Sequence, residues 1–455
     1  MNKYFGTDGF RGEVGKELNT DQAYKIGRYL GHTLKGKSRT RKERCKVVIG
    51  TDTRLSSPML ECAIASGFAA SGVDVYIVGI ITTPGLCYLS SSNGFDYGIM
   101  ITASHNPFTD NGIKIVNSGG VKLDDSEAEN IEKYLDSDKD EIIIPFATGG
   151  EIGRVVHSPD MLDLYLVHLI SKSNFSYKGM RIGLDLSNGA SYKIAKELFS
   201  SLGAQVYTVA DSPDGLNVNR CCGSTNPEQL IRLVMSEGLD VGFAFDGDAD
   251  RCIAIDRHGE IVDGDAILYI LAKSFLEDGK LKSNTVVATV MSNGGLSQSL
   301  SELGISTVQA QVGDRFVYEK MTELCSSLGG EQSGHIIMTD YSSTGDGLIT
   351  AIVLLDEICK RRVPLDILKR GLIYYPQMSE SIRVRDKTLV INDPDLSVLA
   401  DSLRADITPS VRLLIRASGT EPKIRVMAES ASNDLCKRCI NTVKSFLINK
   451  GYAID

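Results

Sequence analysis

Three carboxylates at alternate positions, Asp246, Asp248 and Asp250, sit between two apolar runs in LDVGFAFDGDADRCIAID (residues 239–256). Alternation places the side chains of an extended chain on one side. Carboxylates brought together repel unless a cation balances them, and an all-oxygen set suits Mg2+ or Ca2+. A calcium-binding EF-hand loop is excluded, because its sixth and twelfth positions need Gly and Glu and here hold Arg251 and Arg257. Mg2+ rarely fills its shell from protein alone and favours a phosphate oxygen. Arg251, next in the chain, is available to the same phosphate.

A second loop, in MITASHNPFTDNGIKI (residues 100–115), sets Ser104 beside His105 just after the apolar run YGIMI. Pro107 disfavours helix at Asn106, which leaves a tight loop. A serine–histidine dyad is a poor reading, since neighbouring side chains of an extended chain point apart and no G-x-S-x-G elbow is present. Lys114 is a candidate acid or base if the chain folds back. In LGGEQSGHIIM (328–338), Glu331, Ser333 and His335 alternate before a strand, a set suited to sugar hydroxyls. In LLIRASGTEPKIRV (413–426), Arg416, Ser418, Gly419, Thr420 and Arg425 offer guanidinium forks, hydroxyls and backbone N–H groups, an anion nest between two strands. It is not a Walker A loop.

The elements that must position these loops repeat. KVVIGTDTR…LECAIASGFAASG…VDVYIVG (46–79), MRIGLDLSNG…YKIAKELFSSLG…AQVYTVA (180–210) and TVVATVMSNGG…LSQSLSELG…ISTVQAQV (285–312) each read as β-branched strand, polar loop, helix and strand. Gly72, Gly203 and Gly304 stand where each helix should stop. Parallel sheets place ligands beyond the C-terminal strand ends. The last stretch differs: LIYYPQMSESIRV, VRLLIRASGT and PKIRVMAES read as strands before a final helix. The expectation is an α/β protein of three βαβ-based mixed α/β domains, 1–155, 156–256 and 257–370, followed by a C-terminal α+β domain, 371–455.

Composition narrows the function classes. Across 455 residues the net charge is −9, which argues against nucleic acid or an anionic membrane as partner. The basic run KGKSRTRKERCK (35–46) reads as a solvated loop. The polar N-terminus MNKYFGTDGFRG lacks the apolar core of a secretory signal, and no apolar stretch reaches a membrane-spanning length. The ten cysteines are scattered; Cys436 and Cys439 read as ordinary positions of an amphipathic helix. A reducing cytoplasm fits.

Together the four motifs resemble the α-D-phosphohexomutases: TASHNP resembles their phosphoserine loop, DGDADR the metal loop, GEQSGH the sugar loop and RASGTEP the phosphate loop. They occur in the family's order, one per expected domain. FGTDGFRG, PDGLNVN and TGDGL extend the likeness over nearly the whole chain, and FGTDG-R-G with GEQSGH points to the amino-sugar branch. Ala249 and Ala417 depart from the pattern without removing a ligand. The resemblance implies an active site in a central cleft. Ser104 would carry the phosphoryl group as phosphoserine, with His105 steadying the loop or the phosphate. One Mg2+ per subunit would sit on Asp246, Asp248, Asp250 and an oxygen of phosphorylated Ser104. Glu331 and Ser333 would hold the sugar, and Arg251, Arg416, Ser418, Gly419, Thr420 and Arg425 its phosphates. Lys114, Arg11 and His335 are the acid–base candidates. The implied reaction interconverts glucosamine 6-phosphate and glucosamine 1-phosphate through a bisphosphate, with glucosamine or glucose 1,6-bisphosphate as activator. The alternatives are a phosphoglucomutase or phosphomannomutase working by the same mechanism, and a Mg-dependent sugar phosphatase. The resemblance also allows a homodimer.

Overall fold

The computed structural model describes residues 4–6, 8–37, 44–137, 143–406, 412–418 and 422–454. Gly419, Thr420 and most of the basic run, residues 38–43, lie outside the described residues.

Strands β1 (Phe5–Gly6), β2 (Gly9–Glu13), β3 (Lys46–Thr51), β4 (Asp74–Ile80), β5 (Tyr97–Ile101), β6 (Asp110–Asn117) and β7 (Val155–His157) form one sheet in the order β1-β2-β6-β5-β3-β4-β7. The central strand β5 is buried at all positions, as expected of a strand covered on both faces. Helices Thr20–Lys37 and Ser57–Ala70 pack against each other through glycines. A Cβ on Gly27 would lie 2.4 Å from the Ile64 carbonyl, and one on Gly67 2.3 Å from that of Tyr24.

Strands β8 (Arg181–Asp185), β9 (Gln205–Val209), β10 (Val241–Phe245), β11 (Cys252–Asp256) and β12 (Ile261–Val262) form a second sheet, ordered β12-β11-β10-β8-β9. Strands β13 (Thr285–Thr289), β14 (Ser306–Ala310), β15 (Leu328–Gly330) and β16 (Ile336–Met338) form a third, ordered β14-β13-β15-β16. The three expected βαβ units are present: β3/β4, β8/β9 and β13/β14 are parallel pairs. Gly72, Gly203 and Gly304 follow the intervening helices at φ +87°, +98° and +75°, the left-handed conformation that ends a helix cheaply only in glycine.

The sheets overrun the expected divisions. β7 belongs to the first sheet beyond residue 155, and β12 carries the second sheet past residue 256. The chain forms two compact units, Met1–Met291 with Gly304–Arg370, and Ser292–Leu303 with Gly371–Asp455. The helix Gly294–Glu302 thus belongs with the C-terminal module. Its first N–H donates to both Glu429 carboxylate oxygens at 3.1 Å, and Asn293 Nδ2 donates to the Tyr375 carbonyl at 2.8 Å.

In that module β17 (Gln377–Arg383), β18 (Arg412–Ala417) and β19 (Lys423–Glu429) make an antiparallel sheet ordered β17-β19-β18. Ile382, Leu413, Ile424, Val426 and Ala428 share a core with Cys436, Cys439, Ile440, Val443 and Leu447 of the helix Asn433–Asn449. The C-x-x-C pair is therefore apolar packing. All ten cysteines are free. Among the described residues no helix is long and apolar enough to cross a membrane.

Candidate active site

Ser104 follows β5 in a turn closed by the Asn106 N–H donating to the Ala103 carbonyl at 3.0 Å. Its φ is +52°, so the chain is not extended here. The expectation that Ser104 and His105 point apart is corrected: Ser104 Oγ lies 3.4 Å from His105 Nδ1. Yet the serine hydroxyl donates elsewhere, to Asp246 Oδ2 at 2.5 Å. Burial, then the positive charges of Arg251 and Arg11, push the His105 imidazole down to about 4. His105 is thus neutral near pH 7.

Asp246, Asp248 and Asp250 occupy the turn between β10 and β11, whose ladder closes at Phe245 opposite Cys252. Ala249 takes φ +55°, and its N–H donates to the Asp246 carbonyl at 3.1 Å. The carboxylates do converge, but through this turn and not through strand alternation. One oxygen from each lies within 4.8 Å of the others, and all three residues are buried. Thr83, at the start of the helix Thr83–Ser92, donates its hydroxyl to Asp248 Oδ2 at 2.5 Å.

Lys114 does fold back. β6 pairs antiparallel with β5, setting Lys114 opposite Met100. Its ammonium lies 2.7 Å from Asp248, 3.2 Å from Asp8 and 3.3 Å from Asp250. Burial opposes the ammonium, but Asp248, Asp8 and Asp250 outweigh it and hold its pKa well above the usual lysine range. Arg251 and His335 also approach Asp250, at 3.9 and 3.8 Å, but these groups do not satisfy every carboxylate oxygen. Among the described residues, Asp248 Oδ1 and Asp250 Oδ1 are buried without hydrogen-bond partners. Burial, then repulsion from Asp250 and Asp248, pushes the Asp246 carboxyl well above the carboxylate range. Orphaned hard oxygens beside a carboxylate that resists ionisation fit a divalent, oxygen-seeking cation.

Glu331 Oε1 accepts from the Gly313 N–H at 3.0 Å, and Ser333 Oγ lies 3.4 Å from Glu331 Oε2. Glu331 and His335 are opposed across a reverse turn: the Glu331 N–H donates to the His335 carbonyl and the Gly334 N–H to the Glu331 carbonyl, both at 3.0 Å. His335 is buried; Nε2 accepts from the Gly345 N–H at 3.1 Å, and Nδ1 sits 3.8 Å from Asp250. Burial disfavours its cation, but the nearby Asp250 carboxylate, then Asp314, raises its pKa. Among the described residues Arg251 Nε makes no hydrogen bond but lies 3.9 Å from Asp250 Oδ1, and Arg11 Nε makes none, while Arg11 Nη2 pairs with Asp8.

Several participants escaped the sequence reading. Lys122 joins Asp8 and Asp314, the latter at 2.5 Å, and so links the first and third sheets. Arg54, fully buried, donates to Asp52 at 2.8 Å and to the carbonyls of Ser104, Asn106, Pro107 and Asp110. Asn219 reaches the same loop from the second sheet's side. Arg54 carried one signal: it closes KVVIGTDTR just past the C-terminal end of a strand, where ligand-facing residues gather.

In the C-terminal unit, Arg416 on β18 stands directly opposite Arg425 on β19. The side chains of a directly opposed antiparallel pair share a face, and like charges there repel. Ser381 and, one repeat away, the pair Arg383–Lys423 lie on the same face. Ser418 is buried with its hydroxyl unpartnered among the described residues. A basic face ending in a free hydroxyl suits an anion.

Four models of the phosphoglucomutase/phosphomannomutase family match the chain: domain I over residues 2–141, domain II over 163–259, domain III over 263–373 and the C-terminal domain over 382–444. The phosphoglucosamine mutase of Lachnoclostridium phytofermentans is 46% identical over 452 residues, 99% of each chain. That of Lachnospira eligens is 45% identical over 454 residues, 100% of each. Among solved structures, a phosphoglucomutase/phosphomannomutase family protein from Burkholderia thailandensis matches with TM-score 0.79 at 27% identity, covering 98% of each chain. The N-acetylphosphoglucosamine mutase of Aspergillus fumigatus, in complex with GlcNAc-6P and magnesium, shares the fold with TM-score 0.65 at 17% identity, covering 98% of this chain and 96% of that one. Matched by all four domain models in order and by relatives along its whole length, the chain belongs to the α-D-phosphohexomutases, on their bacterial phosphoglucosamine mutase branch.

Proposed function

We propose that this phosphosugar mutase interconverts glucosamine 6-phosphate and glucosamine 1-phosphate by passing a phosphoryl group through Ser104. The observation that carries the reading is Ser104 Oγ at 2.5 Å from Asp246, at the edge of a buried carboxylate cluster with orphaned oxygens. The phosphoryl group leaves Ser104 Oγ for the free hydroxyl of the sugar monophosphate. The P–Oγ bond breaks, a P–O bond to the sugar forms, and the hydroxyl proton goes to a protein base. The resulting 1,6-bisphosphate turns over, and its other phosphate returns to Ser104. A glucosamine or glucose 1,6-bisphosphate would therefore prime an unphosphorylated enzyme.

Asp246, Asp248 and Asp250, with one oxygen of phosphorylated Ser104, would hold one Mg2+, which supplies charge neutralisation at the transferring group. Arg251 would bind the reacting phosphate, and Glu331 with Ser333 the sugar hydroxyls. Arg416, Ser418, Gly419, Thr420 and Arg425 would hold the phosphate that is not reacting. Lys114 enters as an ammonium held charged by its carboxylates and suited to offset charge; Lys114, Arg11 and His335 are the acid–base candidates, and neutral His105 steadies the loop. A cytoplasmic setting belongs to this reading and is supported by ten free cysteines. A homodimer belongs to it as well.

The test is product analysis with glucosamine 6-phosphate, glucose 6-phosphate and mannose 6-phosphate, each with Mg2+ and a trace of bisphosphate. Preferred conversion of the amino sugar is expected. Preference for a neutral hexose would move the chain to another branch, and net release of inorganic phosphate would make it a phosphatase.

A further inference from the structure

Ser104 holds a left-handed backbone, φ +52°, that a serine does not favour unaided. The Thr102 hydroxyl accepts from the Ser104 N–H at 3.0 Å, and the donors of two further side chains converge on the same two carbonyls. Ser104 O accepts from Arg54 Nη2 at 2.9 Å and from Asn219 Nδ2 at 2.7 Å. Asn106 O accepts from the same two groups at 2.8 and 3.1 Å. Arg54 rises from the serine's own sheet. Asn219 comes from the connection between β9 and β10, where its N–H donates to the Ser187 carbonyl at 2.9 Å.

The metal loop closes on the same point. A Cβ at Gly247 would lie 2.5 Å from the Ser104 carbonyl and 3.1 Å from Asn219 Nδ2. Gly247 therefore lets the carboxylate loop approach the serine loop at backbone distance, with the Asn219 amide wedged beside both. Both side-chain donations of Asn219 go to main-chain oxygens.

We infer that Asn219 is a positioning residue for phosphoryl transfer: it fixes the Ser104 main chain against the metal loop, so that Ser104 Oγ keeps its 2.5 Å approach to Asp246. The inference rests on Ser104 being the phosphoryl carrier. A reacting atom displaced by about 1 Å can cost on the order of a hundred-fold in rate.

Two variants test it. Asn219→Asp is isosteric and tolerates the φ of +57° at this position, but turns an acceptor toward both carbonyls. Asn219→Gly removes the side chain without backbone strain. Rates are normalised to phosphoserine content from intact mass, which discounts misfolded protein. Both variants should lose roughly ten- to a hundred-fold in kcat while KM for glucosamine 6-phosphate stays within about two-fold, the pattern of an interaction expressed in the chemical step. Single-turnover transfer from the labelled phosphoenzyme to glucosamine 6-phosphate should slow by the same factor. Normal kcat per phosphoserine in either variant overturns the inference, and so does a loss confined to KM. Ser104→Ala is run alongside. Turnover by Ser104→Ala breaks the carrier reading itself, whereas an inactive Ser104→Ala beside a fully active Asn219→Asp breaks only the positioning role.

Discussion

Like charges are forced together in two places in this molecule, with opposite sign and opposite exposure. Asp246, Asp248 and Asp250 are no more than 5% exposed; Arg416 and Arg425 face each other across two strands, and Arg425 is open to solvent. Repulsion in a buried, low-dielectric place must be relieved by a resident partner. Repulsion at a wet surface is screened until a ligand arrives. The carboxylate cluster thus suits a resident cation, and on the proposed reading the arginine pair meets a substrate phosphate.

Predictions that test this contrast fall in order of size. On the proposed mechanism, Ser104→Ala should abolish turnover, because it removes the hydroxyl that would carry the phosphoryl group. Intact mass should show a phosphate on the wild type that the variant lacks, and the melting curve should stay cooperative. Persisting turnover would detach the cluster from the chemistry.

Asp248→Asn should raise the Mg2+ concentration for half-maximal activity by at least about ten-fold, since even residues behind a ligand cost that much, and kcat should fall as well. An unchanged Mg2+ dependence would mean that Lys114 alone balances the cluster. Arg416→Ala should raise KM for both the 1-phosphate and the 6-phosphate, because either can be the idle one. A charged hydrogen bond contributes about 1.5–3 kcal/mol, so kcat/KM should drop roughly ten- to a hundred-fold with phosphoserine content unchanged. Loss in one direction only would split the single phosphate berth into two.

The smallest effect concerns a buried carboxylate with no cation site around it. Burial pushes the Asp346 carboxyl up to about 6. Its side chain accepts from the Leu348 and Ile349 N–H groups at 3.0 Å and from the Tyr165 hydroxyl at 2.7 Å. A carboxyl raised on folding contributes stability that is fully present below its unfolded pKa, about 4, and lost as pH climbs through the folded value. Relative to Asp346→Asn, the wild type should lose on the order of 2–3 kcal/mol between pH 4 and pH 7, read from denaturant melts. A pH-independent difference would show that its hydrogen bonds already offset the burial.

Loop chemistry was legible where the pattern is local. The apolar runs before TASHNP and DGDADR are strands because such residues suit a doubly covered sheet, and the glycines after each crossover helix are where the chain must turn left-handed. Alternation was the wrong guide inside the loops. In DGDADR and GEQSGH the backbone turns, so the carboxylates met by a different route than expected, while His335 came opposite Glu331 across a turn and also within 3.8 Å of Asp250. Arg54 looked like any basic residue beyond a strand, and nothing around it signalled that its guanidinium would cap the carbonyls of the serine loop.

The sequence by itself determined the order of the strands and helices, the four chemistry-bearing loops and the kind of chemistry each can do, because periodicity and turn residues act over a few positions. Tertiary structure alone decided which of these groups meet. Asn219 lies 115 positions from the Ser104 carbonyl it holds, Lys114 lies 134 from Asp248, and Lys122 lies 192 from Asp314. Such partners are chosen by how separate sheets pack and by which buried charges find a counter-charge there. Those terms appear only once the whole chain has closed.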